Sequence, residues 1–260
     1  MDLGLKGKVA LVAAASKGLG YGIARALAAE GARVSICSRD EASVQKAVAT
    51  LSSETGAEVI GTACDVTNGE SILAWVEKTA SQWGQIDALL VNAGGPPTGL
   101  LKDFTDAQWQ AAFELTMMSS VRMIRATIQH MKNGGAILTI TSSSVVEPIP
   151  RLGLSSVMRA GVAAMVKTFA DELADANIRV NNLIPGRIDT DRVQHLDQTT
   201  ADKMGISVEA VRQQSIERIP LKRLGTITDF GSAGAFLLSP AAAYITGATL
   251  RVDGGSMRSI

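Results

Sequence analysis

Seven short apolar runs, separated by helical patterns, constrain this chain more than anything else in its 260 residues. They lie at 9–14, 32–37, 57–63, 86–91, 136–140, 178–184 and 249–252. Most are near-continuous in Val, Ile, Leu and Ala instead of alternating with polar residues. That is the signature of parallel strands covered on both faces. Between them, apolar residues return at helical spacing, as at Ile23, Ala24, Leu27 and Ala28 and again at Ile72, Val76 and Ala80. Gly31, Gly56, Gly84 and Gly134 follow such segments and suit left-handed caps before the next strand. Strand and helix in alternation demand right-handed crossovers. The expected fold is therefore α/β: a doubly wound, mostly parallel seven-stranded sheet with helices on both faces. No linker, low-complexity tract or block of charge interrupts it, so a single domain over 1–260 is expected.

Composition narrows the partners. Hydrophobic residues make up 46% of the chain and charged ones 19%, which suits a large buried core. Lys and Arg (25) balance Asp and Glu (25), so the basic excess of a nucleic-acid binder is missing. The longest apolar stretches fall far short of the roughly 20 residues of a membrane span. The opening Met1-Asp2-Leu3-Gly4 has no basic start to a signal peptide. Cys37 and Cys64 make no disulfide framework. We expect a cytoplasmic protein that takes a small-molecule substrate, with no nucleic acid, membrane or metal among its partners.

Two segments point to a ligand. The first run ends in Ala13-Ala14-Ala15-Ser16-Lys17-Gly18-Leu19-Gly20 and passes into a helix. Gly18 and Gly20 let the backbone approach a pyrophosphate at the positive helix end, and the position on the first strand–helix turn is the one dinucleotide sites use. The second run ends at Ser38-Arg39, with no acid at 37–39. A carboxylate there would bond a ribose 2′-hydroxyl, whereas an Arg accommodates a 2′-phosphate. With Lys17 as a second cation, the pattern favours NADP over NAD. The other segment, 185–220, is long and polar, with Asp189, Asp191, Arg192, His195 and Asp197. An insertion after a strand's carboxyl end lies where such sheets bind ligands, so a substrate lobe at about 186–220 is expected.

The chain resembles the short-chain dehydrogenase/reductase family over nearly its full length. The family's Thr-Gly-x3-Gly-x-Gly turn corresponds to Ala13-Ala14-x3-Gly18-x-Gly20, with Ala14 replacing the first glycine. Asp65-Val66 looks like its adenine-contacting pair and Asn92-Ala93-Gly94 like its Asn-Ala-Gly motif beside the cofactor. Pro185-Gly186-Arg187-Ile188-Asp189-Thr190 resembles its Pro-Gly-x-Ile-x-Thr run, which holds the nicotinamide carboxamide. Asp253-Gly254-Gly255 resembles its C-terminal turn. The resemblance implies a Rossmann-type domain, an NADP cofactor, and a homodimer or homotetramer formed through the helices at 106–132 and 153–176.

The reaction site departs from the family. Its Asn, Ser, Tyr and Lys correspond here to Thr116, Ser142, Ser155 and Arg159, since Ser155 stands 13 positions after Ser142 and Arg159 four later. A phenol with pKa about 10 can be drawn toward neutrality by a neighbouring cation. A serine hydroxyl is a far weaker acid, and an arginine holds its proton. Ser155 is thus a hydrogen-bond donor and a poor proton donor, while Arg159 can hold ribose hydroxyls and stabilise an alkoxide. Tyr21 and Tyr244 lie outside the register. His195 in the polar lobe is the candidate proton carrier, beside water; His130 is expected on the far side. Glu147 and Arg151 fall in the loop between the two serines. The expected activity is an NADP(H)-dependent oxidoreductase for a carbonyl or alcohol, and within the family the generic resemblance is to 3-oxoacyl-carrier-protein reductases. The alternatives are a dinucleotide-binding sensor or scaffold without redox activity, and a non-redox lyase or isomerase.

Overall fold

The computed structural model describes residues 2–259. Its seven strands are β1 (Val9–Val12), β2 (Arg33–Ser38), β3 (Val59–Ala63), β4 (Ala88–Val91), β5 (Gly135–Ile140), β6 (Ile178–Pro185) and β7 (Thr249–Val252). They form one sheet in the order β3-β2-β1-β4-β5-β6-β7, and every ladder is parallel. The helices are α1 (Gly18–Ala29), α2 (Glu41–Thr55), α3 (Gly69–Trp83), α4 (Asp106–Phe113), α5 (Ser119–Ile128), α6 (Gly153–Glu172), α7 (Asp191–Met204), α8 (Val208–Arg218) and α9 (Ile227–Leu238).

Alternate residues of the five inner strands, β2, β1, β4, β5 and β6, serve two separate cores. Ala10 and Val12 of β1, Ala88 and Leu90 of β4 and Leu138 of β5 pack with α1, α2 and α9. Val9 and Leu11, Leu89 and Val91, and Ile137 pack with α3, α5 and α6 on the other face. This explains why the runs lack a polar alternation: neither face meets water. Gly31, Gly56, Gly84 and Gly134 all take the left-handed conformation foreseen for them. The first apolar run stops being a strand at Val12, because Ala14 turns to φ 50° and bends the chain toward α1.

Two contacts fix the elements that border the site. Helix α1 crosses α9 with almost no separation: a Cβ on Gly22 would lie 2.4 Å from the Ile227 carbonyl oxygen, and one on Gly231 2.3 Å from that of Gly22. The polar insertion forms α7 and α8. Ile188 bridges to Gly225, and Asp189 pairs with Arg212 at 2.7 Å, so the start and end of the insertion are tied together.

Candidate active site

Strands β1 and β4 are neighbours, but β2 lies outward from one and β5 outward from the other. Connections therefore leave this point in opposite directions, and a crevice opens at the carboxyl ends of β1 and β4. The turn 13–17 and the start of α1 form one wall. Gly18 adopts φ 65°, and a Cβ on Gly20 would stand 2.6 Å from the Ala14 carbonyl oxygen, so only glycine lets the turn close. Asn92, just after β4, donates its Nδ2 to the carbonyls of Ala13 (3.3 Å) and Ala14 (3.4 Å) and braces the turn from across the crevice. Ala93 and Gly94 continue past it, half-buried and exposed. Lys17 precedes α1 without a side-chain cap, which leaves the first amides of that helix for an anion. Leu19 packs against the core beneath.

The rim at β2 and β3 has donors, and its acids are bonded within the protein. Ser16 Oγ donates to Ser38 Oγ at 3.1 Å. Asp40 spends its carboxylate on the α2 cap, accepting from Ser43 N at 2.8 Å, and these bonds hold its carboxyl below the usual range. Glu41 accepts from Ala63 N and from Gln45. Both acids near the end of β2 are thus committed, and Arg39 stands exposed with no ion pair among the described residues. Asp65 closes a turn on Thr67, with Val66 buried behind it. Opposite, Lys17 Nζ meets Asp191 at 2.6 Å, both chains well exposed. A glycine cradle, an uncapped helix start and two cations suit a dinucleotide phosphate. The committed acids suit one that carries a 2′-phosphate.

The reaction half stands at the ends of β5 and α6. Ser142 follows β5, and its Oγ accepts from Ser144 N (3.2 Å) and lies 3.0 Å from Ser144 Oγ, with which it can share a proton in either direction. On α6, Arg159 donates Nε to Ser155 Oγ at 3.2 Å and Nη1 to the Ile140 carbonyl at 2.7 Å, two residues before Ser142. The guanidinium thereby ties α6 to the strand end. Its Nη2 has no partner among the described residues. Burial, and then the charge of Arg192, lower the Arg159 pKa to about 10, which leaves it charged at neutral pH. Ser155 is buried (8% exposed), accepts from Arg159 and keeps its proton to donate.

Thr116 lies in a π turn, Glu114–Met118, set between α4 and α5. Ser119 N donates to the Glu114 carbonyl five residues back. Such one-turn bulges gather at functional sites. Thr116 Oγ1 is buried without a hydrogen-bond partner. Its neighbour Met117 packs beside α6, where a Cβ on Gly161 would come within 2.9 Å of the Met117 sulfur.

The run after β6 borders the same crevice. Gly186 passes so close to Asp253 that a Cβ would sit 2.5 Å from its Cα, which locks Pro185 and Gly186 to the C-terminal turn. Ile188 is buried, and the Thr190 methyl lies 3.9 Å from where a Gly18 Cβ would be. Other residues singled out from the sequence lie elsewhere. His130 contacts Glu77 near the start of β4, at the opposite end of the sheet. His195 is exposed on α7, and its ring makes no hydrogen bond among the described residues. Glu147 accepts the amides of Arg258 and Ser259, so it holds the C-terminal tail. Arg151 is exposed at φ 66°, its carbonyl accepting from Gly99 N.

Sequence reasoning missed two residues. Ser144 orients Ser142; a serine two positions on is a common partner in such turns, and that spacing was readable. Arg192 was seen only as part of a polar stretch. Its guanidinium reaches across to Gly95, 3.3 Å from the position of a Cβ there.

A family model described as enoyl-(acyl carrier protein) reductase matches residues 13–257. Short-chain dehydrogenase/reductase SDRA of Arabidopsis thaliana is 33% identical over 252 residues, covering 96% of this chain and 95% of that one. L-sorbose reductase from Gluconobacter frateurii, solved with NADPH and L-sorbose, superimposes at TM-score 0.95 with 32% identity, over 100% of both chains. A short-chain oxidoreductase of Pseudomonas aeruginosa PAO1, described as NADPH-bound and containing an atypical catalytic center, superimposes at TM-score 0.88 with 29% identity, over 97% of this chain and 98% of that one.

Proposed function

This chain belongs to the short-chain dehydrogenase/reductase family and is an oxidoreductase of that type; we propose, beyond this, that it uses NADP(H) to interconvert a carbonyl and an alcohol at a reaction site made of Ser142, Ser155 and Arg159. The observation that carries the reading is the hydrogen-bond direction at the two serines. Each accepts from a protein N–H, which leaves its own hydroxyl proton able to turn to a substrate oxygen. The phosphate-side reading rests on Lys17 and Arg39, with Asp40 and Glu41 already spent.

When bound, the dinucleotide supplies the hydride-transfer chemistry, which belongs to the cofactor. The start of α1 and Lys17 would hold its phosphates, and Arg39 would supply the cation for a 2′-phosphate. Pro185, Gly186, Ile188 and Thr190 would hold its nicotinamide end. Ser142 donates to the carbonyl oxygen and orients it. Arg159 stabilises the negative charge that develops there, acting in a partly desolvated site. Ser155, itself held by Arg159, donates a hydrogen bond to the same oxygen, and water supplies the proton that the alkoxide takes up, leaving hydroxide to the solvent. Thr116 replaces an amide with a smaller hydroxyl.

Self-association through the faces at 106–132 and 153–176 belongs to the same proposal, since Phe113 and Val157 there are 37% and 48% exposed. Sedimentation equilibrium returning a monomer at micromolar concentration would remove it. Among the described residues, no helix is long and apolar enough to cross a membrane.

The test is a panel of ketones and aldehydes with NADPH, followed by nicotinamide absorbance, for the natural chain and Ser142→Ala. Turnover that falls about 10²- to 10³-fold in the variant is expected, the usual cost of losing one oxyanion donor. NADPH binding with no turnover of any carbonyl would favour the sensor reading, to which the loss of a phenol at Ser155 already lends weight.

A further inference from the structure

The charges around the reaction half do not balance. In the polar insertion, Arg187 pairs with Asp197, Arg212 with Asp189 at 2.7 Å, and Lys17 with Asp191 at 2.6 Å. Every carboxylate close to the start of α7 is therefore spent. Arg192 makes no ion pair or hydrogen bond among the described residues, and its guanidinium lies over Gly95, in the segment that follows Asn92. At the same end of the sheet Arg159 bonds Ser155 and the Ile140 carbonyl at the end of β5, and its Nη2 has no partner among the described residues; the charge of Arg192 adds to burial in lowering its pKa. Two like charges that converge on one cleft, one of them partly desolvated, oppose each other unless an anion joins them.

Cofactor phosphates and a substrate anion are both sources of such charge. Their places differ. The phosphate turn lies at Gly18, beside Thr190 and Lys17. Arg192 instead lies over Gly95, past the end of β4, and the neighbouring strand β5 carries Ser142 and the Arg159 anchor at that same end of the sheet.

We propose that the substrate carries a carboxylate close to its reacting carbonyl, a 2-oxo or 3-oxo acid or the matching hydroxy acid, held between Arg159 Nη2 and the Arg192 guanidinium. This rests on the oxidoreductase reading of the same site. A carboxylate accepts two donors in plane, and a guanidinium offers them in a matching fork. The pairing also counters the extra negative charge that the adjacent alkoxide would add.

The test reads binding as well as turnover. Calorimetry in the presence of NADP⁺ compares 2-oxobutyrate and acetoacetate with their methyl esters. One acid is expected to bind about tenfold to hundredfold more tightly than its ester, the range for a charged hydrogen-bonded contact. Arg192→Gln should erase that difference, Arg192→Lys should restore part of it, and NADPH affinity should hold. Arg192 is exposed, so both variants should fold, and melting curves check this. Acid and ester bound alike, or neither bound, overturns the proposal. So does a loss in Arg192→Gln that falls on NADPH, which would assign the cation to the cofactor phosphates. Acid binding without turnover upholds the carboxylate and removes the redox reading, so the two failures are told apart.

Discussion

The wall of the crevice built by β1, α1 and β2 and the wall built by β5, α6 and the π turn share one sheet edge, yet they treat the family pattern differently. On the first wall the work falls to backbone: a turn that closes over Gly20, uncapped amides at α1, a carbonyl pair braced by Asn92. Ala14 can stand in for glycine there because the turn asks only for a conformation. On the second wall the work falls to side chains. Ser142 stands at the strand end and Arg159 ties α6 to β5, and the proposed reaction site takes Ser155 and Arg159 as the groups that meet the substrate. A fold positions chemistry without choosing it, and the two walls separate those roles.

The largest effect should come from restoring the second wall. The double variant Ser155→Tyr with Arg159→Lys replaces a weak acid by a phenol beside an ammonium. A positioned general acid is worth about 10²- to 10⁴-fold, and kcat on the best carbonyl of the panel should rise within that range. NADPH affinity, measured by fluorescence, should change little, because the first wall is untouched. Ser155 is buried, so thermal denaturation must accompany the kinetics to register any overpacking. A folded variant with no gain would mean that the second wall is tuned as a unit with Arg159 and Arg192, and the separation of roles would fail.

Much of this contrast was legible in the sequence, for definite physical reasons. The strands announce themselves because burial on both faces leaves no polar positions. The exchange at Ser155 and Arg159 is read from the resemblance, which sets a Tyr 13 positions after the Ser and a Lys four after that, and this chain has Ser and Arg there. The π turn at Thr116 was not readable, since shifting one backbone bond leaves the apolar pattern of 106–128 almost unaltered. Nor could composition reveal that Asp40 caps α2 or that Glu41 accepts from Ala63; both acids sit next to Arg39 in sequence and look available. The isolation of Arg192 is equally hidden, because it depends on Asp191 having turned to Lys17.

A middle-sized effect tests the first wall's charge. Arg39→Asp removes the cation with no competing acid and installs a carboxylate for a ribose hydroxyl. A charge-assisted contact contributes about 1.5–3 kcal/mol, so NADPH should bind about tenfold to hundredfold more weakly, with NADH gaining. Fluorescence titration of both nucleotides reads the shift. Equal affinities in the natural chain would show that the commitment of Asp40 and Glu41 does not select the cofactor.

The smallest effect lies at Ala14, where the first wall itself departs from the family. A left-handed alanine costs about 1–2 kcal/mol because its Cβ crowds the following carbonyl. Glycine relieves that crowding and loses part of the gain to the greater freedom of the unfolded chain. Ala14→Gly should therefore stabilise the protein by about 0.5–1 kcal/mol in thermal or denaturant unfolding. Asn92 bonds the Ala14 carbonyl and not its side chain, so the brace across the crevice survives the change. Turnover should stay where it is, in contrast to the double variant on α6. If Ala14→Gly instead raised turnover, the turn would be coupled to the reacting groups, and the two walls would not be separable. A loss of stability would mean that the alanine methyl packs well enough to outweigh its φ of 50°.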